Sequence, residues 1–348
     1  MSKRNEVIEV LKKIIDPELG KDIITLDFVK DLEIIGDKKV EMRLVLTSPG
    51  CPLKDYFKNE ITKNLKEKLS WVEDVEIAID AKVPEPFSQR KKIEGVKHII
   101  PVLSGKGGVG KSTIAINIAF ALKEMGAKVG LLDADVYGPT ISMIGGIKGK
   151  VVVEENKMVP PEREGVKIIS VGYFTEKESP IIWRGPLIHS ALNQFLFDVN
   201  WGELDYLIMD LPPGTGDPLI STSQLVHLTG GVVVSTPQDV AVYDVRKAIN
   251  MLFKVNVSLL GVVENMSYFR CHSCGEVHEI FGKSKVDELV KEIGTEVLGK
   301  VPFDPELVSS GDEGEIYVLK YKDRETTKAL FDIARKISAK ISMEVLKK

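Results

Sequence analysis

The stretch HIIPVLSGKGGVGKST, residues 98–113, decides how the chain reads. Its first half is an apolar run of strand length. Its second half, Gly105-Lys106-Gly107-Gly108-Val109-Gly110-Lys111-Ser112, fits G-x-x-x-x-G-K-[ST], the phosphate-binding loop pattern. Glycines at these places let backbone N–H groups turn inward around phosphate oxygens. A helical stretch at 113–125, read as amphipathic, follows, and its N-terminus favours an anion. In this pattern Lys111 reaches the β and γ phosphates and the Ser112 hydroxyl holds Mg²⁺. Thr113 closes the nucleotide-contacting set that opens at Gly105.

Working outward, short apolar runs at 98–104, 128–133, 166–171, 206–211, 231–236, 259–265 and 297–301 predict strands, with helical patterns between most of them. Apolar strands alternating with helices make an α/β fold, a mainly parallel sheet covered on both faces. The N-terminal part differs. A helix at 4–15 is stopped by Asp16-Pro17-Glu18, because proline disfavours the helical conformation of the residue before it. Strands at 29–35 and 40–47 flank the turn Gly36-Asp37, and a helix at 52–69 and a strand at 72–79 complete a small α+β unit. KVPEPFSQRKKIEGVK, residues 82–97, has linker composition. The expected organisation is a small α+β domain at 1–82, a linker at 83–97 and a P-loop domain at 98–348.

Composition narrows the function classes. The 348 residues are 43% apolar, enough for a sizeable core and more than one domain. Charged residues are 28% of the chain and the net charge is -4, a poor match to a sequence-independent grip on nucleic acid. No apolar run approaches the ~20 residues of a membrane span, and MSKRNEVIEVLKK lacks a signal-peptide core. The expectation is a cytoplasmic protein with neither a nucleic-acid nor a membrane partner.

A Mg²⁺ site needs carboxylates at strand ends. LLDAD places Asp133 and Asp135 after one strand, and LIMD places Asp210 after another. Asp210 runs into LPPGTGD, a glycine-bearing loop of the kind that senses a γ-phosphate. Either aspartate pattern also occurs as a plain turn or helix cap. The base is addressed by Glu264-Asn265-Met266-Ser267, which lacks the N-K-x-D aspartate that pairs with guanine. The Asn265 amide carries donor and acceptor for adenine, so ATP is the expected nucleotide, and the alternative for Asn265 is a turn after a strand.

Three cysteines, Cys51, Cys271 and Cys274, are not a disulfide framework. Cys271-His272-Ser273-Cys274 offers two thiolates, and four are needed for a tetrahedral sulfur site or a four-iron cluster. A twofold dimer supplies four. Zinc on the same sulfurs, or with His272 or His278, a thiol–disulfide pair and a bare turn all remain open. Cys51, in TSPGCP, would lie at a helix N-terminus, where a thiol becomes more acidic; a small residue in a tight turn reads equally well.

Lys106 marks the deviant Walker A group, which includes MinD, ParA, the nitrogenase iron protein and the Mrp/ApbC family. Residues 99–345 resemble the Mrp/ApbC branch throughout, on SGKGGVGKST, LLDADVYGPT, WRGP, YLIMDLPPGTGD, VVSTPQDVAVYDVRKA, GVVENMSYF, CHSC and VPFDP. The first ~80 residues resemble the small domain often fused ahead of that family, on DPEL and TSPGCP. The resemblance implies an ATP hydrolase that works as a homodimer. Lys106 would reach the partner subunit's phosphates, Asp135 would orient the attacking water, Asp133 would support Mg²⁺ through water, and Asp210 would be the Walker B aspartate. Cys271 and Cys274 would hold a [4Fe–4S] cluster between two subunits, for delivery to apo iron–sulfur proteins. Two further readings compete. A MinD- or ParA-like positioning switch would use Leu330, Ile333, Ile337 and Ile341 as a membrane face, although such a stripe more often packs on a core. A nitrogenase-like redox role fits poorly, since that enzyme takes its cysteines from separated positions.

Overall fold

The structure is a computed structural model that describes residues 2–17, 20–46, 53–81, 91–174, 185–214, 216–271 and 273–346. Cys51, the TSPGCP motif, His272 and most of the 82–97 stretch lie outside the described residues. The chain divides into two compact units, Met1–Pro84 with Ser338–Lys348, and Glu85–Ile337.

The small unit contains α1 (Lys3–Leu11), β1 (Val29–Ile35), β2 (Lys39–Leu46), α2 (Lys54–Lys68) and β3 (Asp74–Ala81). Its three strands lie in sequence order, β1 antiparallel to β2 and β2 parallel to β3. Alternation along β2 buries Val40, Met42, Leu44 and Leu46 on one face. Phe57, Ile61 and Leu65, four apart on α2, are fully buried in the same cluster.

The large unit follows in the order β4 (Val96–Ser104), α3 (Lys111–Glu124), β5 (Val129–Asp133), α4 (Ile141–Ile144), β6 (Val152–Glu154), β7 (Lys157–Val159), β8 (Glu162–Arg163), β9 (Val166–Ser170), α5 (Gly185–Phe197), β10 (Leu204–Asp210), α6 (Asp217–Leu225), β11 (Gly231–Ser235), α7 (Asp239–Lys254), β12 (Leu259–Glu264), β13 (Phe269–Arg270), β14 (Val277–His278), α8 (Val286–Ile293), β15 (Val297–Lys300), α9 (Pro305–Asp312), α10 (Tyr317–Lys320) and the first part of α11 (Glu325–Leu346), whose residues from Ser338 on are counted with the small unit. Eight strands form one sheet in the order β15-β12-β11-β4-β10-β5-β9-β8, parallel except where β8 folds back on β9. All seven expected strands are present, and every residue of β5 and of β11 is buried. That burial on both faces is why they read as continuous apolar runs. β4 sits centrally between β10 and β11, so its C-terminal end opens at the point where the chain's progression across the sheet changes direction, where ligands bind in such folds.

Helix α3 departs from the amphipathic expectation. Lys111 and Ile114 through Leu122 are all buried. The helix packs against β4, β5 and β10 on one side and against α4 and α10 on the other, so no face is left to water. The C-terminal stripe also resolves: Leu330, Ile333, Ile337 and Ile341 are each 0% exposed, which makes the stripe a packing face. No described helix is long and apolar enough to cross a membrane.

Candidate functional site

Strand β4 delivers the glycine loop to the C-terminal end of the sheet's strands, and the loop's shape depends on two glycines in particular. A Cβ on Gly105 would meet the Asp244 backbone carbon of α7 at 2.3 Å, so only hydrogen lets the loop pass this close to that helix. Gly110 has φ +82, a conformation L side chains rarely adopt, and a Cβ there would meet Asn265 Nδ2 at 2.3 Å. The next residue, Lys111, starts α3. Gly107 and Gly108 are exposed at the loop tip, and Val109 is buried beneath it. The Ser104 hydroxyl donates to the Lys106 carbonyl at 2.9 Å. The Lys106 side chain is half-buried, with no ion-pair partner among the described residues.

Sheet register brings the carboxylates to the loop. Asp210 is paired with Asp133 on β5 and with Val102 on β4. Lys111 Nζ donates to Asp210 Oδ1 at 2.5 Å and lies 3.3 Å from Asp135 Oδ2. The Ser112 hydroxyl donates to the other Asp210 oxygen at 2.5 Å. Asp133 accepts from Ser170 Oγ at 2.8 Å and from the Ile141 N–H at 3.1 Å. Asp135 accepts from the Tyr137 and Gly138 N–H groups, each at 3.3 Å. Burial pushes the Asp133 carboxyl up to about 7, and the Asp210 charge adds to that. Burial also raises Asp210, against the opposing pull of Lys111 and Ser112. The loop after β10 is drawn in as well, since the Gly214 N–H donates to the Ser104 carbonyl at 2.8 Å.

Ser112, Asp133 and Asp210 offer hard oxygens of the kind Mg²⁺ takes, but among the described residues no three acidic side chains are grouped closely enough to hold a metal ion alone, so phosphate oxygens would have to complete its shell. A cluster of buried acids around one lysine is costly unless cations or hydrogen bonds satisfy it. The donor set therefore fits a nucleotide with its divalent cation.

Asn265 lies next to the loop, 3% exposed. Its Nδ2 donates to the Val109 carbonyl at 2.9 Å, leaving the amide a second N–H and a carbonyl. A cavity of about 210 Å³ opens beside it, lined by Gly110, Thr113, Asn265, Met266, Pro302 and Phe303 among others. Pro302 and Phe303 come from VPFDP, which begins 36 residues beyond Asn265, so local pattern does not place them at this site.

The cysteine pair sits elsewhere in the same unit, between β13 and β14, which pair antiparallel. The Cys271 N–H donates to the Glu276 carbonyl at 2.9 Å, and the Gly275 N–H to the Cys271 carbonyl at 2.8 Å. Cys271 is half-buried and Cys274 exposed. Backbone hydrogen bonds from Cys274 and then Ser273 hold the Cys271 thiol below its ordinary value, favouring the thiolate. His278 Nε2 lies 3.7 Å from Glu276. Among the described residues no three His, Cys, Asp or Glu side chains are grouped closely enough to hold a metal ion.

A family model described as the NUBPL iron-transfer P-loop NTPase matches residues 95–338, 244 of the 348. The chain belongs to this family of iron-transfer P-loop NTPases. A second model, described as an iron–sulfur cluster assembly protein, matches residues 4–79. The family likeness spans both units: an iron–sulfur cluster carrier protein of Aquifex aeolicus is 43% identical, covering 98% of this chain and 99% of its own length. Among solved structures, a nucleotide-binding protein of Archaeoglobus fulgidus in complex with ADP is 38% identical, with a TM-score of 0.59, over 67% of this chain and 92% of that one. The cell division ATPase MinD of Pyrococcus furiosus is 21% identical, with a TM-score of 0.54, over 69% and 98%, and shares the fold. The Mrp/ApbC resemblance and the parallel P-loop sheet are thus both upheld.

Proposed function

We propose that this iron-transfer family member binds and hydrolyses ATP in the cytoplasm. Its homodimer carries a [4Fe–4S] cluster between two Cys271–Cys274 pairs and passes it to apo iron–sulfur proteins. The observation that carries the reading is the cysteine hairpin. Two sulfurs stand at its accessible end, one of them already biased toward thiolate, with no third ligand grouped beside them among the described residues. Two such ends meeting across a twofold axis make four thiolates, the number a four-iron cluster takes.

For the nucleotide, Gly105 through Thr113 would cradle the phosphates, with Lys111 on the β and γ oxygens. Ser112, Asp210 and Asp133 would hold Mg²⁺, which supplies charge neutralisation at the phosphates. Asn265 and the cavity beside it would take adenine. The ADP complex of the Archaeoglobus protein supports a nucleotide at this site. Asp135 would orient the attacking water. The Lys106 ammonium, which has no ion-pair partner among the described residues, would act on the partner subunit's nucleotide. We assign residues 1–82 to the small domain, 83–97 to the joining segment and 98–348 to the P-loop domain, in keeping with family matches over 4–79 and 95–338.

The test is anaerobic reconstitution with iron and sulfide. Iron, sulfide, zinc and oligomer mass are measured on wild type and on the double variant Cys271→Ala/Cys274→Ala. A dimer with four irons and four sulfides that transfers to an apo-acceptor, lost in the variant, is expected. Equal cluster content and equal transfer in the variant, or zinc in place of iron, would overturn the reading.

A further inference from the structure

Glu264 ends β12 as a fully buried carboxylate. Both of its oxygens are engaged. Ser267 Oγ donates to Oε1 and Ser284 Oγ donates to Oε2. Lys300 Nζ lies 4.0 Å away and is itself bonded to Asp287 at 2.7 Å. Residues 268–283, which carry Cys271 and Cys274, run between those two serines. One carboxylate therefore ties together both roots of the cysteine-bearing excursion. Burying so polar a side chain merely to close a surface loop is costly when apolar packing would serve.

The neighbour of Glu264 faces the nucleotide loop. Asn265 Nδ2 holds the Val109 carbonyl, and the Asn265 N–H holds the Ser235 carbonyl at 2.8 Å. The backbone then runs directly from the cavity to the hairpin. The Val301 N–H donates to the Glu264 carbonyl at 2.8 Å, the Ser267 N–H to the Val301 carbonyl at 2.9 Å, and the Phe303 N–H to the Tyr268 carbonyl at 2.7 Å. Phe303, a cavity wall, meets Phe269 edge-on with ring centroids 6.4 Å apart. The stem is braced from outside, since Glu325 accepts from Tyr268 Oη at 2.6 Å and from Arg270 Nε at 2.8 Å.

We propose that Glu264 is a positioning residue that couples the nucleotide site to the cysteine hairpin. Because it clamps Ser267 and Ser284 to the strand end that carries Asn265, a shift of Asn265 against Val109 moves both roots of the hairpin together. A hairpin braced at its stem and fixed at its roots transmits such a shift to Cys271 and Cys274 instead of absorbing it, as packed elements with discrete arrangements do. This inference rests on the proposed nucleotide and cluster sites and adds the route between them.

The test reads thiol chemistry in the cluster-free full chain. Iodoacetamide labelling rates of Cys271 and Cys274 are measured by peptide mass spectrometry, with and without ADP and a non-hydrolysable ATP analogue. In wild type the nucleotide is expected to change the rates by about 5-fold or more, the scale of ordinary site-to-site coupling. In Glu264→Gln and in the milder Ser284→Ala that ratio should fall toward one. Nucleotide affinity in the same samples should stay within about 3-fold, as for changes remote from a ligand. If Glu264→Gln does not fold, Ser284→Ala decides. Faster labelling with an intact nucleotide ratio would mean a clamp that is only structural and would overturn the proposal, as would absence of any nucleotide effect in wild type. Affinity titration and iron loading run alongside: if both persist while the ratio is absent, only the coupling fails, and if either is lost in wild type, the underlying function fails with it.

Discussion

Asp133 and Asp210 face each other as paired residues on adjacent parallel strands, both with no solvent exposure, and Lys111 bridges from Asp210 toward Asp135. The lysine that would meet phosphates thus also balances the buried acids of its own site.

Replacing that lysine removes both roles. Lys111→Ala is expected to weaken nucleotide binding by roughly 10-fold or more, the loss of at least one charge-assisted contact. It should also destabilise the nucleotide-free protein, because a buried carboxylate loses its partner, at a cost of up to about 3–5 kcal/mol before protonation relieves it. Titration calorimetry and urea unfolding check the two effects separately. Wild-type affinity in the variant would remove Lys111 from the phosphate site.

Lys106 has no such internal duty. Lys106→Ala should leave nucleotide affinity and stability nearly unchanged, and slow hydrolysis by about 10-fold or more, less than the full effect of a strong trans-acting cation. Steady-state phosphate release, measured over a range of protein concentration, tests it. Unchanged turnover would refute the trans role.

The two loop glycines differ sharply. Gly105→Ala forces a Cβ into the Asp244 backbone and should cost about 1–3 kcal/mol of stability, as overpacking does. Gly107→Ala meets nothing within 4 Å, and without nucleotide should stay within about 0.5 kcal/mol of wild type. Denaturant midpoints of the nucleotide-free proteins decide it; equal midpoints would contradict the packing of Gly105 on α7.

Asn265→Ala removes both the bond to Val109 and the groups that would read adenine. ATP affinity is expected to fall about 10-fold, with GTP affinity falling less, so the preference narrows. Competition titrations with both nucleotides measure this. An unchanged ATP-to-GTP ratio would assign Asn265 to holding the loop alone.

Asp304 supplies an acid-sensitive contact. Burial raises its carboxyl, but hydrogen bonds from Glu306, Tyr317 and Thr326 outweigh that and hold it below its ordinary value. A depressed native value means the stabilisation is complete above the unfolded value of about 3.9 and is lost as pH falls through the native one. Asp304→Asn should therefore be less stable than wild type at pH 7, by about 1–3 kcal/mol for bonds to a charged group, with the gap closing below pH ~4. Parallel stability curves from pH 7 to ~3 would contradict it.

Much of this protein is local in its chemistry and was legible for that reason. The glycine spacing of 105–112, the apolar runs of a sheet covered on both faces and the Cys271–Cys274 pair are each set by neighbours in the chain. So is the helical stripe of Leu330, Ile333 and Ile337. What depends on register and packing was not. Asp133 and Asp210 read as strand-end carboxylates of one site, but that they stand side by side, 77 residues apart, is decided by strand order and register. The apolar residues of α3 look like one face of a helix until β5 and α10 enclose both sides. Asn265 reads as a base contact or a turn, and only the approach of Gly110 shows it holding the loop. Glu264 carries no signal at all in sequence, because its two partners lie 3 and 20 residues away and a serine has no reason to be special until the chain returns to it. Short-range patterns record the local preferences of a segment, whereas long-range contacts exist only once the core has closed around them.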